Sequence, residues 1–274
     1  LKYLFDRHDT IDVTACFLYQ PKVESTVGFL FGQYKRISDA FENGVITGKG
    51  LSYGGSLIRP EATGYGAIYY TCEVFKHQHD DIKGKTFVVS GFGNVAWGAI
   101  KKITALGGKA LTISGPDGYV YDPDGIATEE KINYLLEMRA SGRDRVQDYA
   151  DKFGAEFHPG EKPWGVKGDV ILPCATQNEV TLEDAKKIVA NGAKYYIEVS
   201  NMPTTADALN YLMDQKDLIV APSKAVNAGG VCVSGLEMSQ NSQRLSWTAE
   251  EVDAKLHQAM INICLLYTSP SPRD

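Results

Sequence analysis

A run of β-branched and aromatic residues, Lys85 to Ser90 (KTFVVS), leads directly into Gly91-Phe92-Gly93-Asn94-Val95-Ala96, and a helical pattern follows. No other segment restricts the fold as much. A strand that turns into a helix this abruptly needs a glycine at the bend, and a second glycine lets backbone approach a pyrophosphate. A small third residue, here Ala96, lets helix and strand pack closely, while the helix N-terminus faces the anion. The helix is expected over about Asn94 to Leu106, with Val95, Ile100 and Ile103 on its apolar side and a stop at Gly107-Gly108. Lys109 to Ser114 (KALTIS) reads as a second strand ending in the turn Gly115-Pro116-Asp117-Gly118. Asp117 lies about twenty residues beyond the glycine turn, the spacing of a ribose-binding carboxylate. Gly91, Gly93 and Asp117 are therefore candidate dinucleotide contacts.

The rest of the chain alternates strand-like and helix-like segments, the pattern of a parallel sheet with helices on both faces. Thr128 is placed to cap a helix that carries Glu129 and Glu130 in its first turn and reaches about Ala140. Arg145 to Phe153 continues helical. Asp169 to Leu172 reads as a strand, Thr181 opens a helix ending at Asn191-Gly192, and Tyr195 to Val199 reads as a strand. Ala206 to Met213 is expected as a helix, Leu218 to Val220 as a strand and Glu250 to Ile263 as a helix. The expected class is α/β, a doubly wound parallel sheet with strands at 86–90, 110–113, 169–172 and 195–199.

A net charge of −6 lacks the clustered excess of Lys and Arg that a nucleic-acid surface needs. Nothing approaches the roughly 18 consecutive apolar residues of a membrane span, and the N-terminus has no secretory-signal pattern. Cys16, Cys72, Cys174, Cys232 and Cys264 stand singly, without metal or disulfide spacing, and the odd count suits a reducing compartment. Free thiols, no metal site, no nucleic acid, no membrane and a cytoplasmic location are the expectations.

Two glycine-rich stretches remain. Thr47 to Ser56 (TGKGLSYGGS) reads either as a flexible linker or as a crossing where backbone passes close to something. Pro60, Glu61 and Thr63 after it describe an organised helix start. Asn227 to Gly235 (NAGGVCVSG) reads as a close-packed turn that either touches ligand or does not.

The runs GGSLIRPEATGYG (Gly54 to Gly66), GFGNVAWGA (Gly91 to Ala99), SGPDGYVYDPDGI (Ser114 to Ile126) and PSKAVNAGGVCVSGLEMSQN (Pro222 to Asn241) resemble the hexameric bacterial glutamate dehydrogenases, nearest their clostridial NAD-using branch. The resemblance runs from about Val27 to Ile263. It implies a Rossmann-like domain binding NAD, with L-glutamate, 2-oxoglutarate and ammonium as reactants and a homohexameric assembly. It assigns Thr63 to the nicotinamide carboxamide, and Asn94, Val95 and the rest of the Gly91–Ala96 turn to the pyrophosphate and its ribose. Ala175, Thr176 and Asn201 would border the cofactor, and Ser234 would bind the side-chain carboxylate of glutamate. With an acid at Asp117 and no cation beside it in sequence, NAD is favoured over NADP. NADP stays open, because a Lys or Arg from another loop could meet its 2′-phosphate.

The resemblance also implies a catalytic lysine upstream of Leu1 and a catalytic aspartate where Tyr19 stands, so no catalytic residue is assigned here. Residues 1–26 do not resemble the family, and Leu265 to Asp274 (LLYTSPSPRD) places two prolines where a helix should continue. The expected division is a substrate-domain remnant at 1–56, with 1–26 unrelated or disordered, a dinucleotide-binding domain at 57–264 and a foreign or disordered tail at 265–274. A non-catalytic dinucleotide-binding module, or a leucine- or valine-type dehydrogenase, would share the same turn.

Overall fold

The computed structural model describes residues 23–268, and the chain divides into two compact units. The larger comprises Glu61–Gly229 and His257–Asp274, the smaller Leu1–Pro60 and Gly230–Leu256. Residues 230–256, read as part of the nucleotide domain, group instead with the N-terminal residues. Tyr19 and most of 1–26 lie outside the described residues.

In the larger unit, helix α2 (Ala62–His77) precedes strand β1 (Thr86–Val89), which runs into helix α3 (Asn94–Ala105). Strands β2 (Lys109–Ala110), β6 (Val170–Leu172), β7 (Tyr195–Ile197) and β8 (Ile219–Ala221) complete a five-stranded sheet of order β2-β1-β6-β7-β8. Every pairing in it is parallel. All three residues of β6 and of β7 are buried, as expected of a sheet covered on both faces. Helices α6 (Leu182–Ala190) and α7 (Ala206–Met213) lay Ala185, Ile188, Ala208 and Leu212 on Val88, Ile171 and Tyr196. On the opposite face, where Phe87 points, Ile103 of α3 closes the core; a Cβ on Gly108 would lie 2.9 Å from both.

Local chemistry sets the helix ends where sequence placed them. Thr128 accepts from the Lys131 N–H at 3.2 Å and caps α4 (Glu129–Ser141). Thr181 and Asp184 form a reciprocal capping box on α6. Gly142, in the left-handed region, ends α4, so α5 (Gln147–Phe153) is a separate helix rather than a continuation.

The expected second strand is two strands. β2 pairs parallel with β1, and Leu111 N still donates to Phe87 O at 2.8 Å. At Thr112 a side chain takes over the ladder, and backbone bonding returns at Ser114, whose N donates to Gly91 O at 3.3 Å. Val89 N donates to Thr112 Oγ1 at 2.9 Å, and that hydroxyl donates back to Val89 O at 2.8 Å. The backbone is thereby released into β3 (Thr112–Gly115), which pairs antiparallel with β4 (Gly118–Tyr121). β4 pairs in turn with β5 (Glu156–Pro159). This small second sheet was not legible, because four-residue strands between turn residues carry too little periodicity.

In the smaller unit, helix α1 (Val23–Ser38) begins inside the stretch expected to be unrelated, and its Val27 and Phe31 pack with Ile46. Asn227–Gly235 is not a turn, since helix α9 spans Gly229–Gln243 after the short helix α8 (Ser223–Val226). Gly229, Gly230 and Gly235, poor helix formers, concealed it. The glycine-rich 47–56 stretch is a crossing and not a linker. Lys49 Nζ and Glu237 Oε1 lie 2.6 Å apart with no side-chain exposure on either partner. Gln240 donates to Ser56 Oγ at 2.8 Å, and Asn241 donates to Gly54 O at 2.7 Å. Helix α10 (Ala249–Thr268) continues four residues past the expected tail boundary, so Leu265–Thr268 are helical; the prolines at 270 and 272 lie outside the described residues.

Replacing Thr112 by Val leaves the buried Val89 N–H without its acceptor. Chemical denaturation should show Thr112→Val destabilised by about 1–3 kcal/mol, the cost of an unsatisfied buried group, while Thr112→Ser retains most of the stability.

Candidate functional site

Chain order reverses between β1 and β6, so the crevice at their C-terminal ends is the topological switch point of the sheet. Gly91 and the Cys174–Thr176 loop meet there. Gly91 leaves β1 at φ +79°, a left-handed conformation that favours glycine. A Cβ on it would stand 3.2 Å from both Ala175 Cα and Cys174 O, so the turn lies directly against the loop that follows β6. Gly91 N donates to Ser114 Oγ at 2.8 Å, which continues the hydroxyl-mediated edge begun by Thr112.

Gly93 is the N-cap of α3, is exposed, and has open space where a side chain would be. No side chain caps this helix. The first-turn N–H groups of α3 therefore have no side-chain cap, and with the positive end of the helix dipole they suit an anion. Thr63 stands in the first turn of α2, where Gly64 crosses α3 so tightly that a Cβ would come within 2.4 Å of Val95 O. Thr176 and Asn201 lie on the loops after β6 and β7. Ser200 Oγ donates to Thr176 O at 3.4 Å, and Asn201 Oδ1 accepts from Asn227 at 2.7 Å.

Asp117 sits in the β3–β4 turn rather than at a strand end, and its carboxylate holds backbone. Val146 N donates to Oδ1 at 3.0 Å and Gln147 N to Oδ2 at 3.1 Å, tying down the start of α5. Each oxygen keeps a second lone pair able to accept a further hydrogen bond. The same contact brings Arg143 and Arg145 toward the turn, cations that local sequence did not place there. Arg143 pairs with Asp148 at 2.8 Å and Arg145 donates to Gln147 Oε1 at 2.9 Å.

Two residues escaped the sequence reading. Arg139 of α4 donates to Asn94 Oδ1, setting a guanidinium beside the first turn of α3; burial lowers its pKa from the ordinary value. Glu179 is buried behind the Cys174–Thr176 loop and accepts from Ala175 N at 3.0 Å. Loss of solvent raises its pKa to about 7, against hydrogen bonds from Ser90, Ala175 and Thr176 that hold it down. Neither residue matches a motif, and both distances are set by folding.

Ser234 belongs to the smaller unit, where it is buried and accepts from Arg59 Nε at 3.0 Å. A cation beside a hydroxyl is a site for a carboxylate. Among the described residues no group of three His, Cys, Asp or Glu side chains is arranged to hold a metal ion, and Cys72, Cys174, Cys232 and Cys264 are free thiols, buried or half-buried. Among the described residues no helix is long and apolar enough to cross a membrane.

A parallel sheet with a glycine turn at its switch point and an uncapped helix behind it defines a dinucleotide-binding α/β protein. Residues 54–269 match the family described as Glutamate/Leucine/Phenylalanine/Valine dehydrogenase. The chain belongs to that family. It is 70% identical over 237 residues to the NAD-specific glutamate dehydrogenase of Clostridium symbiosum, covering 86% of this chain and 53% of that enzyme. It is 52% identical to the NADP-specific glutamate dehydrogenase of Haemophilus influenzae, covering 86% of this chain and 52% of that enzyme. A solved glutamate dehydrogenase superposes with a TM-score of 0.86 at 70% identity, covering 86% of this chain and 53% of the other. The chain thus spans about half the length of these relatives.

Substituting Gly91 by Ala forces a side chain into a left-handed conformation, at about 1–2 kcal/mol, and against Ala175. Nucleotide affinity in Gly91→Ala should fall about tenfold or more, read by fluorescence titration with a reduced nicotinamide nucleotide, with the circular dichroism spectrum unchanged.

Proposed function

We propose that this chain forms the nucleotide-binding half of a glutamate dehydrogenase, which converts L-glutamate to 2-oxoglutarate and ammonium with NAD and runs the reverse reaction. The observation that supports this most is an uncapped glycine turn at a sheet switch point, within a sequence 70% identical to an NAD-specific glutamate dehydrogenase. Bound there, the nucleotide supplies a ring that accepts hydride. The chain's own residues hold it: N–H groups of Gly93, Asn94 and Val95 at the pyrophosphate, Asp117 at the ribose, Thr63 at the carboxamide. Ala175, Thr176 and Asn201 form the wall beside it.

Arg59 and Ser234 receive the side-chain carboxylate of the amino acid. This pair favours glutamate over leucine, phenylalanine or valine, because a guanidinium and a hydroxyl donate to a carboxylate and gain nothing from an apolar side chain. NAD is preferred over NADP because Asp117 would repel a 2′-phosphate, while the neighbouring Arg143 and Arg145 are engaged with Asp148 and Gln147. The intact protein is read as a cytoplasmic homohexamer.

Two measurements test this. Titration of the purified chain should give tighter binding of NAD than of NADP, and equal affinities would overturn the cofactor preference. Joining residues 27–263 to the remaining half of the Clostridium symbiosum enzyme should produce NADH from glutamate, with the KM for glutamate raised about tenfold or more by Ser234→Ala, the loss of one charge-assisted bond. Turnover of leucine in preference to glutamate would overturn the substrate assignment.

A further inference from the structure

Glu179 is a buried carboxylate that none of the roles above uses. It stands where the ends of three strands meet. Ala175 N, on the loop after β6, donates to its Oε1 at 3.0 Å. Ser200 Oγ, on the loop after β7, lies 3.5 Å from the same oxygen. Ser90 and the Thr176 backbone favour its ionised form. Ser90 closes β1 immediately before Gly91, and its Oγ in turn accepts from Cys174 N at 2.8 Å. One side chain therefore ties together the origins of the loops that carry Gly91, Ala175–Thr176 and Asn201.

We propose that Glu179 is a positioning residue: its ionised carboxylate braces the Ala175–Thr176 loop in the shape that borders the cofactor. The inference rests on the dinucleotide reading and adds a residue and a protonation state to it. A carboxylate can accept from all these donors at once, whereas the protonated acid has to donate one proton and gives up part of its acceptor capacity. The brace therefore loosens when Glu179 is protonated.

The groups facing Glu179 leave it free to titrate. Lys162 favours its charge but donates its ammonium to the Glu179 backbone carbonyl. Burial raises the Cys174 thiol and the Tyr196 phenol well above their ordinary values, so neither ionises near neutrality. Because burial raises Glu179 in the folded state to about 7, the stability it contributes is present at low pH and is lost as pH climbs through that value. Stability and nucleotide affinity consequently move in opposite directions with pH, a combination that simple packing damage does not produce.

The test uses the full chain and Glu179→Gln, with NAD as the probe. In the wild type, the Ala175 amide proton should titrate near pH 7 by NMR, and NAD should bind about fivefold more tightly near pH 8 than near pH 6, the low end of couplings between linked sites. In Glu179→Gln both profiles should be flat, with weaker binding near pH 8 although the variant melts no lower than the wild type. The same pH profile in both proteins would overturn the proposal. If Glu179→Gln fails to fold, the wild type decides alone, and an Ala175 amide that does not titrate near pH 7 overturns it. An amide that titrates in a protein that binds no NAD would support the brace and overturn the dinucleotide reading instead.

Discussion

The geometry of the nucleotide turn depends on two hydroxyls, Thr112 and Ser114, that bond the edge of β1 where the neighbouring strand bends into the small sheet. Thr112 exchanges hydrogen bonds with both backbone groups of Val89, and Ser114 accepts from Gly91 N. Buried backbone groups require partners. A side chain that supplies them lets the main chain leave the large sheet and build the small antiparallel one without orphaning the end of β1. Gly91 can then bend at φ +79° with its N–H satisfied, and α3 starts at Asn94 without a side-chain cap.

The same economy recurs at the other strand ends. Parallel strands stop together, leaving donors and acceptors that no ladder meets. In this unit carboxylates meet several of them. Glu198, buried after β7, accepts from Thr204 Oγ1 at 2.6 Å and from Ser223 N at 3.1 Å, joining the loop after β7 to the start of α8. Asp169 does so at the opposite end of the sheet, accepting from both Thr86 N and Thr86 Oγ1 at 2.8 Å. Charge is tolerated at these depths because each carboxylate receives more than one hydrogen bond. Glu179, buried after β6, accepts Ala175 N at 3.0 Å, and desolvation raises its pKa to about 7.

The smaller unit relies on a different device. Lys49 and Glu237 form a fully buried ion pair, and Glu237 also accepts from Gly48 N at 3.0 Å, so the glycine-rich stretch is held to α9 by charge where it has few side chains to pack. Such a pair adds little net stability against an apolar substitute, but removing one partner strands the other charge. It fixes one register of segment against helix, and with it the placement of Arg59 beside Ser234.

Periodicity and turn chemistry alone made much of this protein legible. The β1–turn–α3 junction was visible because its requirements are local: a strand, a glycine able to take a positive φ, a small residue at Ala96. The caps at Thr128 and Thr181 were visible for the same reason, and so was the parallel sheet, whose strands read as apolar runs. The family resemblance added Thr63, Thr176 and Ser234 as names without positions. Tertiary structure decided what local sequence does not encode. It split KALTIS between two sheets through one hydroxyl, made a helix of a glycine-rich stretch, turned Asp117 into an anchor for α5, and set Arg139 and Glu179 at the crevice. Propensity acts over a few neighbouring residues, whereas hydrogen bonds to buried groups are settled only when segments some eighty residues apart, as Ser90 and Cys174 are, come into contact.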